Sequence, residues 1–141
     1  TIAVYRISDR TPPQNDISLF EQLDPASQNE AMIVLFHFRE RCEICLNMEH
    51  YTRDFLAAYN INGKEGRNIE FKLAVINDDQ NLNLVKRFNL YTSTLLLLEF
   101  ENGEEKQVKV LGDAWKLYRD KEAFISMLEM ELRSFLQQQD E

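Results

Sequence analysis

Apolar residues are spaced in two ways along this chain, one typical of strands and the other typical of helices. Residues 31–38 (AMIVLFHF) are almost continuously apolar, as in a strand that is covered on both faces of a sheet. Other segments are rich in β-branched residues or alternate between apolar and polar positions. Asn102-Gly103, between two of these segments, is a strong hairpin signal. We predict strands over residues 1–7, 31–38, 69–77, 94–100 and 106–111.

The segments between these strands carry apolar residues at helical spacing. Residues 42–60 have an apolar stripe at steps of 3 or 4 positions, which consists of Ile44, Met48, Tyr51, Phe55 and Tyr59. Aspartates that can cap a helix precede three more helical patterns, after Asp16, after Asp78 or Asp79, and after Asp120.

The order of the predicted elements is β-α-β-α-β-α-β-β-α, which favours an α/β fold with a mixed sheet and helices on both of its faces. We expect a single domain over residues 1–141. Residues 1–16 would add an N-terminal strand and loop, and residues 113–137 would hold the C-terminal helix.

Composition narrows the functional classes. The 141 residues are 44% hydrophobic and 28% charged, as in a globular domain, and the formal net charge is -8. An acidic surface repels phosphate backbones and anionic lipid, so we expect no nucleic-acid partner. The longest uninterrupted apolar run, residues 31–36, is far shorter than the roughly 20 residues that span a bilayer, so we do not expect a membrane-embedded protein.

The candidate chemistry lies in residues 36–51 (FHFRERCEICLNMEHY), which contain both cysteines of the chain. Cys42 falls where the buried strand ends and a helix begins, and the free N–H groups and dipole of a helix start favour a thiolate. Cys45 lies one turn further along. We therefore expect Cys42 to attack a partner disulfide and Cys45 to resolve the mixed disulfide. Arg39 and Arg41 should lower the pKa of Cys42, and the neighbouring glutamates should oppose them.

The buried strand, the CEIC sequence that opens a helix and the later LYTSTLLLLEFENGE hairpin resemble thioredoxin-like proteins over residues 17–137. This resemblance implies a three-layer α/β/α sandwich and a thiol–disulfide oxidoreductase that uses no cofactor and acts on protein disulfides or dithiols. The pattern around the cysteines is also similar to a bacterial subgroup that is mostly exported. It implies a periplasmic protein whose signal peptide was removed, with a membrane thiol reductase as electron donor; a cytoplasmic location is the alternative.

Two positions depart from the thioredoxin pattern. The family's cis-proline position falls on Thr94, after Ser93, and a non-proline cis bond costs about 2.5–4 kcal/mol, so we expect a trans bond and a narrow range of partners. The family's buried acid falls on Phe36, so proton transfer must use another group or water. We expect the groove that faces a partner to include Arg41, Glu43, Ile44, Ser93 and Thr94.

Two alternatives to the redox interpretation stay open. The first is a thioredoxin-like chaperone that binds Cu(I) or a similar soft metal through Cys42 and Cys45, with Met48 or His50 assisting. The second is an adaptor whose dithiol is inert. The apolar stripe favours Met48 as a core residue, and His37 on the buried strand favours a hydrogen-bonded core histidine. The chain contains no phosphate-binding loop and no serine or zinc hydrolase motif.

Overall fold

The structure is a computed structural model that describes residues 2–6, 23, 31–62 and 69–137. The helix predicted after Asp16 lies outside these residues, apart from Leu23. The strands are β1 (Ile2–Arg6), β2 (Ala31–His37), β3 (Ile69–Val75), β4 (Thr94–Glu101) and β5 (Glu104–Leu111). The helices are α1 (Glu43–Asn62), α2 (Leu82–Phe88) and α3 (Lys121–Gln137), with short 3-10 segments at Asp79–Asn81 and Ala114–Leu117.

The five strands form one mixed sheet in the order β1-β5-β4-β2-β3. The β2–β3 pair is parallel and the remaining pairs are antiparallel. The β4–β5 connection is the predicted tight hairpin, because Asn102 and Gly103 take the positive φ angles of 56° and 80° that such a turn requires. β1 joins the sheet at its β5 edge, a placement that the sequence did not specify.

Alternate side chains of β2 enter two separate apolar clusters on opposite faces of the sheet. Ile33 and Leu35 pack with residues of α1 and α3 on one face. Val34 and Phe36 pack with residues of α2 on the other. A sheet with helices on both faces has three layers, so the predicted thioredoxin-like α/β/α sandwich with a mixed sheet is confirmed as the fold class.

Helix α1 is fixed against α3 and the loop before it. The Phe124 side chain is fully buried, and its ring meets the ring of Tyr51 edge-on at 5.5 Å between centroids. The Tyr118 backbone carbonyl accepts two hydrogen bonds from α1, one from Tyr51 Oη at 3.0 Å and one from Asn47 Nδ2 at 2.9 Å. These contacts hold the helix that begins at the cysteines.

We predict that Phe124→Ala lowers the free energy of unfolding by about 3–5 kcal/mol, because it removes a buried aromatic ring and leaves a cavity between α1 and α3. Met130→Ala is the matched control on the same helix, where the side chain is 69% exposed, and its effect should stay within about 0.5 kcal/mol. Urea unfolding of both variants measures the difference. Equal losses in the two variants would contradict this account of the packing.

Candidate functional site

The two cysteines lie at the junction of β2 and α1 in very different surroundings. The Cys42 carbonyl accepts the backbone N–H of Leu46 at 2.9 Å, which is the first helical hydrogen bond, so Cys42 has the N-cap position of α1. Cys42 is exposed, whereas Cys45 is fully buried. Both thiols are free and their sulfurs are 3.8 Å apart, compared with about 2.05 Å in a disulfide. A two-electron oxidation, together with a small approach of the two sulfurs, would join them as a disulfide.

The helix start lowers the pKa of the Cys42 thiol below its ordinary value. The largest cause is the backbone N–H of Cys45, which points at the Cys42 sulfur and stabilises the thiolate. Partial burial opposes this effect. The Cys45 thiol, the Ile44 backbone N–H and the positive charge of Arg41 add smaller contributions in the lowering direction. At neutral pH, Cys42 therefore has a larger thiolate fraction than an ordinary cysteine, and the thiolate is the form that attacks a disulfide.

Of the two arginines expected to act on Cys42, Arg41 is the one that does so. Its guanidinium is 2.5 Å from Glu49 Oε1, and Arg53 contacts the other oxygen of Glu49 at 3.1 Å. Burial raises the pKa of Glu49, but the hydrogen bonds from these two arginines outweigh it and hold that pKa below its usual range. The Arg39 guanidinium instead donates to the Asn77 carbonyl at 3.4 Å.

Ser93 and Thr94, which the sequence predicts together as part of the partner groove, have different environments in the structure. Ser93 Oγ lies 2.8 Å from Cys45 Sγ, and both groups are buried. The Thr94 hydroxyl donates to the Thr92 carbonyl at 2.7 Å, and Thr94 pairs with Phe36 in the sheet. None of the peptide bonds in the described ranges is cis. The structure thus brings Ser93, and not the Thr94 hydroxyl, to the dithiol.

The histidines and Met48 lie in ordinary structural environments. His37 is 5% exposed, with Nδ1 at 2.8 Å from the Phe38 carbonyl, and Met48 is fully buried in the core. His50 is exposed, with Nε2 at 3.4 Å from Asp54. Within the part of the chain that the structure describes, no group of three or more His, Cys, Asp or Glu side chains could hold a metal ion.

The remaining candidate residues surround Cys42 at the start of α1. Glu43 is exposed and Ile44 is half-buried. Three large apolar side chains close in sequence to candidate site residues are also exposed, and the sequence patterns did not mark them as candidates. They are Phe38 at 37%, Leu46 at 50% and Tyr91 at 78%. The sequence feature that could have identified them is a large apolar residue in a loop or a first helical turn, within two positions of a candidate site residue or of the buried strand.

Comparison of the chain with protein-family models, with curated proteins and with solved structures finds no significant match. Among the helices of the described residues, none combines the length and the apolar character needed to cross a membrane.

We predict that Arg41→Ala raises the pKa of Cys42, because it removes the positive charge that favours the thiolate. At a fixed neutral pH, iodoacetamide should then alkylate Cys42 more slowly than in the wild-type protein, and the pH profile of alkylation should move to higher pH. Mass spectrometry of the native protein measures both. Cys45 should stay unmodified until the protein unfolds, because it is fully buried.

Arg39→Ala is the matched control. It also removes one positive charge, two residues before Arg41, but the Arg39 side chain contacts the Asn77 carbonyl. Its pH profile should coincide with that of the wild-type protein. Equal shifts for the two variants would show that only the total charge of the loop matters, and would contradict a specific effect of Arg41.

Proposed function

We propose that this chain is a thioredoxin-like thiol–disulfide oxidoreductase that uses Cys42 and Cys45 on a narrow range of protein partners. The observation that carries the proposal is the asymmetry of the dithiol. One thiol is exposed, has a lowered pKa and caps a helix, and a second, fully buried thiol lies 3.8 Å away. This arrangement suits a reaction in which one sulfur meets the partner and the other completes the exchange.

The exchange has two steps. The Cys42 thiolate attacks one sulfur of a partner disulfide, forms a mixed disulfide and releases the partner's other sulfur as a thiolate. Cys45 then attacks Cys42, so that the Cys42–Cys45 bond forms and the bond to the partner breaks. The proton of Cys45 goes to the departing sulfur. The protein dithiol is oxidised and the partner disulfide is reduced to two thiols, and the reverse sequence oxidises a partner dithiol.

The reaction needs only thiols and disulfides, so we propose that it uses no cofactor. The net charge of -8 disfavours nucleic acid as a partner. Leu46 directly follows Cys45 in α1 and is 50% exposed, so it gives a protein partner apolar surface to bury close to the dithiol. Phe38 and Tyr91 are exposed as well. The resemblance to exported thioredoxin-like proteins favours a periplasmic location, with a membrane thiol reductase as the electron donor.

A soft-metal chaperone is the second candidate, and the distance between the sulfurs favours it over an inert adaptor. Two metal–sulfur bonds of about 2.3 Å at a tetrahedral angle place their sulfurs about 3.8 Å apart, which matches the observed pair. A centre with that angle needs two further ligands, and soft thiolate sulfurs suit Cu(I) as well as zinc. Among the described residues, no third His, Cys, Asp or Glu side chain joins the two cysteines in a group that could hold a metal, and Met48 packs in the apolar core.

We predict that Cys45→Ser accumulates mixed disulfides with specific partner proteins at Cys42, because the thiol that releases them is gone. Nonreducing electrophoresis of cell extracts that contain the tagged variant should show discrete adducts, and a reductant should remove them. Cys42→Ser is the control and should give none of these adducts, because its remaining thiol is buried. The absence of adducts with Cys45→Ser would contradict the redox proposal.

Metal analysis separates the two candidates. We expect the reduced protein to form an intramolecular Cys42–Cys45 disulfide in glutathione buffers, and to contain less than one equivalent of bound copper or zinc after purification. Elemental analysis and thiol titration measure these quantities. A stoichiometric metal that protects both thiols from alkylation, and that is lost in Cys42→Ser, would support the chaperone instead.

A further inference from the structure

The resolving thiol, Cys45, has a single polar side-chain partner besides Cys42 in the part of the chain that the structure describes. Ser93 Oγ lies 2.8 Å from Cys45 Sγ, and Cys42 Sγ lies at 3.8 Å. Cys45 is fully buried and Ser93 is 4% exposed. This contact joins the first turn of α1 to the residue before β4, across 48 positions of the chain.

A buried thiol that must attack another sulfur faces a physical difficulty. The attacking species is the thiolate, and a charge that forms in an apolar interior lacks the water that would stabilise it. A hydrogen-bond donor at the sulfur offsets this cost, and hydrogen bonds to charged groups are the stronger ones. In thioredoxins a buried acid assists this step, but its position here is Phe36. That side chain is apolar, and it packs in the cluster on the α2 face of the sheet.

We propose that Ser93 is a positioning residue for the second half of the exchange reaction. Its hydroxyl donates a hydrogen bond to the Cys45 sulfur as that sulfur loses its proton, and it holds the sulfur towards Cys42. This inference rests on the proposed oxidoreductase function and adds the group that assists resolution. A hydroxyl from the residue that precedes β4 thus takes the place of an acid on β2.

The strand geometry explains why Ser93 reaches Cys45 and its neighbour does not. Side chains alternate between the two faces along a strand. Leu95 and Leu97 of β4 pack in the cluster that includes α1, and Ser93 continues this odd-numbered series. Leu96 and Leu98 pack in the opposite cluster, and Thr94 continues that even-numbered series.

Ser93 is neither consumed nor changed in the resolving step. The Cys45 sulfur attacks Cys42 in the mixed disulfide, the new sulfur–sulfur bond forms, and the bond to the partner sulfur breaks. The departing partner thiolate takes the proton that Cys45 has lost. The Ser93 hydroxyl can act as donor or acceptor by rotation, so it can accept from the Cys45 thiol before the step and donate to the sulfur as charge develops.

A stoichiometric reaction with dithiobis(nitrobenzoate), a disulfide whose thiolate products are coloured, separates the two steps. Attack by Cys42 releases the first coloured thiolate, and resolution by Cys45 releases the second. We expect Ser93→Ala to leave the first release within about two-fold of the wild-type rate and to slow the second by roughly ten-fold or more, the size expected for a lost hydrogen bond to a charged group. The pH profile of the second release should move to higher pH.

Two further variants show whether the hydroxyl itself is responsible. Ser93→Thr keeps the hydroxyl and should restore the second release to within a few-fold of the wild-type rate. Thr52→Val removes a different buried hydroxyl from α1, one that donates to the Met48 carbonyl, and should change neither release. Circular dichroism and thermal unfolding establish that each variant is folded, and Ser93→Gly provides the same loss of the hydroxyl if the alanine variant does not fold.

The outcomes separate this inference from the proposed function. If the wild-type protein releases two coloured thiolates and Ser93→Ala releases the second at the wild-type rate and pH, Ser93 has no such role and the oxidoreductase function stands. If Thr52→Val slows the second release as much as Ser93→Ala does, the slowing comes from general repacking of the core, and the inference is overturned as well. If the wild-type protein releases no second thiolate and forms no Cys42–Cys45 disulfide, the proposed function fails, and the role of Ser93 fails with it.

Discussion

The burial of β2 on both faces and along both edges is the constraint on which the site depends. β3 and β4 pair with its edges, and helices cover its two faces, so its end has a fixed position in the molecule. The Ile76 N–H donates to the His37 carbonyl at 2.7 Å, which holds the chain to the last residue of the strand. The loop that follows carries the chain into α1. The dithiol is therefore placed by the most buried element of the fold.

Helix geometry then gives two identical residues different surroundings. Three positions along an α-helix correspond to a rotation of about 300° and a rise of about 4.5 Å, so the side chains at the N-cap and in the first turn lie close together. Cys42 comes before the first turn, where it is exposed and the free N–H groups converge. Cys45 lies within that turn, where it is buried and contacts Ser93. The N–H groups of the helix start lower the pKa of the exposed Cys42, whereas packing excludes solvent from the buried Cys45.

Patterns that depend on neighbouring residues could be predicted from the sequence. The apolar run of β2, the stripe of α1 and the Asn102-Gly103 turn each follow from local spacing, and the structure contains all three. The position of the cysteines at a helix start followed from the same spacing. The fold class could be predicted because the order of strands and helices restricts how the sheet can be assembled.

Contacts between distant segments could not be predicted in this way. Ser93 and Cys45 are 48 positions apart, and the side Ser93 faces depends on where β4 begins. The different roles of Arg39 and Arg41 depend on their partners, Asn77 at 38 positions and Glu49 at 8 positions. From charge alone, both arginines are expected to lower the pKa of Cys42, and only their contacts in the folded chain distinguish them. Tertiary geometry therefore decides which polar groups act on the two sulfurs.

The burial of Cys45 also bears on the choice between redox and metal chemistry. A tetrahedral metal held by only two sulfurs of this chain gains its further ligands from outside the protein or from a second chain, and those ligands must reach a metal that is bonded to the buried Cys45. Cys45 is fully buried, and its sulfur contacts the side chains of Cys42 and Ser93. A disulfide bond to Cys42 satisfies it without any external ligand, and a mixed disulfide needs only the exposed Cys42. The arrangement of the site therefore favours bond exchange between the two sulfurs over a metal centre shared with an external partner.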